Sequence, residues 1–211
     1  RLGRAVTGRT EPLAHPGLVL ALGIGASTVA TKNVIANLFY RNLTLQRPVH
    51  IGQTLRTTTE VRALADARPK SGTADRGKVV LGIVTTADDD IVLDFERCAL
   101  LPCRHELPGH ADDIGSVPTD LDLTGFEAAI PATWDLTALP AAPTWVVGEL
   151  RSDPLRDVVD HATSLVRLTH NLAATHRDAS LSASGRRLVY GGHTVALAHA
   201  SLERMTDGVA T

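Results

Sequence analysis

The 211-residue sequence is poor in sulfur-containing and aromatic residues, with two cysteines, one methionine and 3% aromatic residues. Cys98 and Cys103 form an isolated pair, and no second pair completes a zinc site. We therefore expect both thiols to stay reduced, as in a cytoplasm. The longest apolar stretch, Leu18–Ala26, is far shorter than the roughly 18 residues that a membrane span needs.

The sequence also lacks an excess of either charge. It contains 21 basic and 23 acidic residues, for a formal net charge of −2, and no run of lysine or arginine, which excludes a generally basic nucleic-acid binder. The 44% hydrophobic and 21% charged residues are typical of a globular protein with a core. Because neither an initiator methionine nor a signal peptide opens the sequence, we expect it to begin inside a longer protein.

The first half predicts a helix followed by antiparallel strands. The segment Leu13–Ala30 is apolar on nearly every side, with Pro16 suited to its first turn, and predicts a buried helix. Alternating β-branched and polar residues then predict strands within Val34–Leu45, Arg47–Leu64, Lys78–Ala87 and Ile91–Leu101. We expect a polar loop over Arg68–Gly77 and a polar turn, not a metal site, at Asp88–Asp90.

The second half begins with an irregular segment. Residues Pro102–Pro143 are rich in Pro, Gly, Asp and Ala and predict a surface linker. After it, Thr144–Leu150 predicts a short strand, and Ser152–His176 predicts a helix capped by Ser152 or Asp153. A second apolar helix rich in small residues is expected within Arg187–Met205.

The two small-residue helices align on each other. Leu13–Leu22 matches Leu188–Leu197 at an offset of 175 residues, with identities at Leu13/Leu188, Gly17/Gly192, Ala21/Ala196 and Leu22/Leu197. This offset predicts a duplicated protein of greater length. Residues 1–104 would be a first repeat without its front, 105–142 a linker, and 143–211 the start of a second repeat without its strands.

Four segments carry a resemblance to a known family: Ala14–Gly25, Arg47–Leu55, Asn171–Asp178 and Arg187–Leu202. Their order and spacing resemble the MaoC-like (R)-specific enoyl-CoA hydratases of the double-hotdog type. The sequence is particularly similar to uncharacterised actinobacterial double-hotdog proteins with a similar linker. The resemblance implies an α+β fold in which an antiparallel sheet wraps around long central helices, once in each of two repeats.

The same resemblance implies a substrate site at a helix start. Acyl-CoA thioesters would bind beside Tyr190, where the backbone N–H groups of Gly191 and Gly192 face the thioester oxygen as it gains negative charge. Glycine allows such a close approach. The alternative is that Gly191 and Gly192 only form a tight turn into a packed helix.

The catalytic motif is altered in this sequence. The family pattern Asp-x-Asn-Pro-x-His, laid on His176, places Asn171 at the Asp position and Ala173 and Ala174 at the Asn and Pro positions. A neutral amide orients water but cannot accept its proton. Three alternatives follow: His176 acts alone with Asn171 as water orienter, Asp178 substitutes despite a position that suits a helix cap, or the site binds a thioester without converting it.

Several other residues are weighed beside this motif. His193 is a candidate for the thioester pocket, and Arg186 and Arg187 either contact CoA phosphates or form a solvated pair. We expect His15 to pack against or cap the first helix and His170 to point elsewhere. His105 and His110 lack ligand spacing, so no metal and no cofactor besides the CoA thioester substrate are predicted.

The sequence thus leaves three functions open. The first is an acyl-CoA hydratase or dehydratase, and the second is a non-catalytic hotdog protein that binds an acyl thioester or serves as a scaffold. The third, a thioesterase, needs a carboxylate near the helix, and Asp178 and Glu203 are poorly placed for it. We expect an acyl-CoA ligand and neither nucleic acid nor a membrane span as partner. Edge-to-edge pairing of hotdog sheets also allows a homodimer.

Overall fold

The computed structural model describes residues 2–67, 74–120, 124–125, 127–141, 144, 146–159, 163–182 and 185–206. In these ranges two α-helices precede four strands and two α-helices follow them, so the described strands all lie in the first half of the chain. The helices are α1 (Leu2–Thr7), α2 (Pro16–Ser27), α3 (Thr163–Leu168) and α4 (Gly191–Met205). The strands are β1 (Ala36–Leu45), β2 (Leu55–Ala67), β3 (Arg76–Ala87) and β4 (Asp90–Pro102).

The strands confirm the predicted antiparallel sheet, in the spatial order β1-β4-β3-β2. The tight turn between β3 and β4 is the predicted polar turn. There Asp88 has a φ of 54° and accepts hydrogen bonds from the Gln53 side chain and the Thr54 N–H. In the predicted loop between β2 and β3, residues 68–73 lie outside the described ranges, and Arg76 and Gly77 already belong to β3.

Helix α2 confirms the predicted buried helix within narrower bounds. His15 caps its start, because the His15 Nδ1 accepts the Gly17 N–H at 3.0 Å, and Pro16 occupies the first position. A 3-10 turn, Thr28–Thr31, follows the helix. The helix lies on one face of the sheet, and this layer forms the main core; its fully buried members include Val19, Ala21, Ile24, Leu81, Ile83, Leu93 and Phe95.

The opposite face of the sheet holds a second, smaller apolar cluster. Phe39, Cys98, Val80 and Ala63 are register partners in one row across the four strands, and Ile114 of the predicted linker packs on them. Cys98 is buried and Cys103 half-buried, and neither forms a disulfide. Burial raises the pKa of the Cys98 thiol. The linker therefore crosses the outer face of the sheet and covers part of it.

The predicted strand at Thr144–Leu150 is wrong. Thr144 and Val146–Leu150 form no strand; the Glu149 N–H donates to the Val146 carbonyl at 3.0 Å, and Gly148 has a φ of 87°. Val147 and Leu150 are fully exposed. The segment therefore forms a tight turn and pairs with no described strand.

The predicted helix at Ser152–His176 is also wrong over most of its length. Residues 151–159 are irregular, 160–162 lie outside the described ranges, and only α3 is α-helical. Asp153 accepts the Leu155 N–H and pairs with Arg204 of α4 instead of starting a helix. After α3, His170 adopts a φ of 52°, which ends the helical path.

Helix α4 confirms the second apolar helix, from Gly191 instead of Arg187. It runs antiparallel to α2. His15 at the start of α2 contacts His199 late in α4, whereas Tyr190 at the start of α4 reaches Ala21 farther along α2. In the part of the chain that the structure describes, no helix combines the length and apolarity that crossing a membrane requires.

Candidate active site at the start of α4

The two helices begin at equivalent positions of the repeat but are capped differently. His15 and Tyr190 are both N-cap residues in extended conformation, 175 residues apart. The imidazole of His15 accepts a helix N–H, whereas the Tyr190 side chain makes no capping hydrogen bond. The first N–H groups of α4, those of Gly191 and Gly192, are therefore without a side-chain cap, and the helix dipole favours negative charge there.

The two glycines at this helix start serve different needs. A Cβ atom at Gly192 would lie 2.8 Å from the Cε1 and Cζ atoms of the Tyr190 ring, so packing against this ring alone demands glycine. A Cβ atom at Gly191 would meet nothing within 4 Å, and this residue is exposed. Gly192 thus fits the interpretation of a tight turn into a packed helix. Gly191 has the open space that the close approach of a substrate needs.

His176 lies beside this helix start. Its ring centroid is 5.5 Å from that of Tyr190, and only 8% of its surface is exposed. The His176 Nδ1 lies 2.9 Å from the Leu188 carbonyl oxygen, and the Leu188 N–H in turn donates to the Thr175 carbonyl at 3.0 Å. Because a carbonyl only accepts, Nδ1 carries the proton, and Nε2 is left with its lone pair.

Burial sets the charge of this imidazole. Removal from solvent lowers the pKa of His176 from 6.5, and the hydrogen bond to Leu188 offsets only part of this effect. The neutral form therefore dominates at neutral pH. A neutral imidazole with a fixed Nδ1 proton is the arrangement that a general base needs.

Asn171 is more deeply buried than His176, at 2% exposure. Its Oδ1 accepts the Ala173 N–H at 2.9 Å, which closes a turn. The Tyr190 hydroxyl donates to the Ala21 carbonyl at 2.8 Å. Burial raises the pKa of Tyr190, and the Asn171 side chain offsets part of this effect. The Asn171 Oδ1 has a second lone pair for a further partner.

The segment that carries Asn171 and His176 docks onto the end of α2. The Leu172 N–H donates to Thr28 Oγ1 at 2.8 Å, and the Ala174 N–H donates to the Lys32 carbonyl at 3.0 Å. A Cβ atom at Gly25 would lie 2.1 Å from the Thr169 carbonyl oxygen, so only glycine permits this approach. The small residues of α2 therefore position the motif.

The remaining sequence candidates lie around this centre. Asp178 caps the 3-10 turn Ala179–Leu181, and hydrogen bonds from the Ser180 side chain and N–H lower its pKa. Arg186 and Arg187 are exposed on the segment that leads into α4. His193 is half-buried, and its Nε2 is shielded without a hydrogen-bond partner among the described residues.

A cavity of about 320 Å³ adjoins the motif on its other side. Ala174 and Thr175 line it together with Lys32–Ile35, Pro102 and Leu181, whereas His176 does not. The structure thus brings His176, Asn171, Tyr190 and the glycine pair together and leaves Asp178 at the surface. The hydrogen bond from the Tyr190 hydroxyl to the Ala21 carbonyl could not be predicted from the sequence, because no local pattern indicates a contact between residues so far apart.

Comparisons with known proteins identify the fold. No protein-family model matches the chain. A conserved hypothetical protein from Mycobacterium tuberculosis with a double hotdog fold has 45% identity and a TM-score of 0.82, over 96% of this chain and 63% of that one. A MaoC domain protein from Chloroflexus aurantiacus, described as a dehydratase, has 25% identity and a TM-score of 0.67, over 93% and 59%.

One curated protein supports the same relationship. Mesaconyl-CoA hydratase from Cereibacter sphaeroides is 30% identical in an alignment of 176 residues that covers 79% of this chain and 50% of that protein. The chain thus spans about half of this relative and under two thirds of the mycobacterial structure. The antiparallel sheet around α2, the repeated helix start and these similarities lead to one conclusion: the chain has the double-hotdog fold of the MaoC-like proteins.

Proposed function

We propose that the protein is an acyl-CoA hydratase or dehydratase that acts on enoyl- and 3-hydroxyacyl-CoA thioesters. The observation that carries this proposal is the state of His176. Its Nδ1 is held by the Leu188 carbonyl, its pKa is lowered by burial, and its Nε2 lone pair is unprotonated beside the start of α4. The curated relative acts, by its name, on a CoA thioester by hydration.

In the hydration direction, the His176 Nε2 removes a proton from water as the water oxygen bonds to the β-carbon of the enoyl thioester. The π electrons move through the α-carbon to the thioester oxygen, where the N–H groups of Gly191 and Gly192 stabilise the negative charge. The imidazolium then returns its proton to the α-carbon, and the carbonyl re-forms. His176 therefore serves as both base and acid.

Asn171 has a supporting part in this proposal. Its Oδ1 accepts the Ala173 N–H, and the second lone pair and the amide N–H groups would orient the water. Arg186 and Arg187, exposed before α4, would contact the CoA phosphates, to which a guanidinium group makes paired hydrogen bonds. Tyr190 and His193 would border the acyl thioester, and Asp178 stays a structural cap.

The test is the loss of the conjugated-thioester absorbance when full-length protein is mixed with enoyl-CoA of short, long and branched chains. We expect hydration that His176→Ala lowers by about 10²–10⁴-fold. The matched control is His170→Asn, an exposed neighbouring histidine whose positive φ asparagine tolerates. Inactivity of the wild type toward all chain types would end this proposal.

A second function is favoured by Asn171 itself. The amide at the position of the family aspartate cannot accept a proton, so the alternative is a non-catalytic protein that binds acyl thioesters. Calorimetry with a saturated acyl-CoA separates the two functions. Binding without hydration of the matching enoyl-CoA supports the alternative, whereas hydration that His176→Ala abolishes excludes it.

A further inference from the structure

The antiparallel arrangement of α2 and α4 brings three potential metal ligands together at the end of the helix pair opposite to Tyr190. His15 is the N-cap of α2, whereas His199 and Glu203 lie one turn apart on α4. A spacing of four residues places both side chains on one face of α4. The ligating atoms of all three side chains lie within 4.8 Å of one another.

The geometry of the two imidazoles suits a shared ion. Their ring centroids are 5.2 Å apart at an interplanar angle of 77°, so the edge of one ring faces the other. The His199 Nδ1 is shielded from solvent and has no hydrogen-bond partner among the described residues. A shielded nitrogen without a partner is unfavourable, and a cation would satisfy its lone pair.

The donor set selects the class of metal. Two imidazole nitrogens and one carboxylate are typical zinc ligands, whereas Ca²⁺ and Mg²⁺ prefer oxygen alone. Ligand atoms around a tetrahedral zinc ion lie about 3.3 Å apart. The three groups must therefore close by at most roughly 1.5 Å, and His15 and Glu203 are exposed side chains that can rotate.

We propose that His15, His199 and Glu203 bind Zn²⁺ or a similar transition-metal ion and thereby clamp the start of α2 to α4. Binding changes the hydrogen bonding of His15. In the structure its Nδ1 accepts the Gly17 N–H, which places the ring proton on Nε2. A metal ion on Nε2 displaces that proton, and Nδ1 then takes up one and releases the Gly17 N–H.

The experiment titrates metal-free, full-length protein with Co²⁺ and Zn²⁺. We expect one bound ion, with a visible cobalt spectrum that lacks the thiolate charge-transfer band and so excludes Cys98 and Cys103 as ligands. His199→Ala and Glu203→Gln each weaken binding at least about tenfold, because even residues outside the ligand sphere change affinity by 10–100-fold. The control is His105→Ala, an exposed linker histidine that leaves binding unchanged.

A second variant protects the test against loss of folding. His15→Asn retains a good N-cap residue and removes the imidazole. We expect this variant, without metal, to have the melting temperature of the metal-free wild type, and to bind the metal ion at least about tenfold more weakly. Failure of the wild type to bind at micromolar metal, or binding that survives His199→Ala and Glu203→Gln in folded protein, overturns the proposal.

Discussion

Asn171 is the residue at which this chain departs from the family motif, and its surroundings define what the departure changes. The side chain is buried, closes its own turn through Ala173 and acts on the pKa of the Tyr190 hydroxyl. An aspartate would keep the bond from the Ala173 N–H. Its second oxygen would face Tyr190, whose hydroxyl must then turn from Ala21 to donate to the carboxylate.

We predict that Asn171→Asp adds a carboxylate base beside His176 and raises the hydration rate by about 10²–10⁴-fold over the wild type. Initial rates of absorbance loss with enoyl-CoA measure this change. Asn171→Ala is the control, because it removes the amide and adds no base. A folded Asn171→Asp protein at the wild-type rate would show that a missing carboxylate does not limit the reaction.

His176 determines how the hydration rate depends on pH. Because burial lowers its pKa below 6.5, we predict that kcat/KM for hydration falls on the acid side with a midpoint below pH 6.5. A pH–rate profile from pH 4 to 8 measures it, and a midpoint at or above 6.5 contradicts the assignment of His176 as base.

The same shift affects folding. In the unfolded chain His176 binds its proton at a higher pH than in the folded protein. Its contribution to stability is therefore complete above about pH 6.5 and is lost as the pH falls through the lowered pKa. Urea unfolding at pH 7.5 and 5.0 measures this contribution. Between these pH values, the free energy of unfolding should fall more for the wild type than for His176→Gln, which has no imidazole at this position.

At the scale of elements, the linker acts as a strap over the outer face of the sheet. Arg41 on the edge strand β1 donates to the Ile114 and Ser116 carbonyls and pairs with Glu96. At the opposite edge, the Asp112 N–H donates to the Leu64 carbonyl of β2 at 3.0 Å. The segment between these anchors carries Ile114 onto the row that contains Cys98.

We predict that Ile114→Ala loosens this strap and exposes the Cys98 thiol. In a Cys103→Ser background, a thiol reagent should label Cys98 faster, and the free energy of unfolding should fall by about 1–2 kcal/mol, since Ile114 is only half-buried. Val117→Ala, at an exposed linker position, is the matched control. Equal labelling rates in both variants would show that Ile114 does not shield the thiol.

The elements also show where a sequence predicts structure and where it does not. The strands follow from their alternating residues, and both helices follow from long stretches of apolar and small residues. The helix expected at Ser152–His176 does not begin at its predicted cap, because Asp153 instead pairs with Arg204 of α4. Arg97 was not anticipated either: it is buried on the inner face and donates to Thr31 Oγ1 and the Ser27 carbonyl near the end of α2.

For the candidate site, the sequence predicted that His176, Asn171 and the start of α4 lie together, but not the contacts that connect them. The repeat offset and the position of His176 predicted which side chains share one region. The contacts of Asn171 with Tyr190, and of Tyr190 with Ala21, depend on how the helices cross. That crossing is a property of three-dimensional packing, which no local pattern contains.

At the scale of the whole molecule, the helix crossing joins the two repeats. A Cβ atom built at Gly17 would lie 3.7 Å from the Cβ of Ala196, so small side chains let the helices approach at this point. Gly17 and Ala196 belong to the identical positions of the repeat, Gly17/Gly192 and Ala21/Ala196. Two of the residues that match between the repeats, Gly17 and Ala196, are therefore residues at which the helices meet.

We predict that Ala196→Leu separates the helices and lowers the free energy of unfolding by about 1–3 kcal/mol, as overpacking does. Urea denaturation of the full-length protein measures this. Ala198→Leu, at an exposed position of the same helix, should change stability by less than about 0.5 kcal/mol. Equal effects of the two substitutions would place the close contact elsewhere.

The unequal capping of the two helices has a consequence for how the duplicated halves divide their work. One half uses an imidazole to seal its helix end from within, and the other places a phenol in the same position, pointing inward to bind a backbone carbonyl. The start of α4 therefore offers uncapped N–H groups to an anion, whereas the Gly17 N–H at the start of α2 is already bonded to His15. A single side-chain difference at matched positions thus makes the two helix starts unequal as binding sites for an anion.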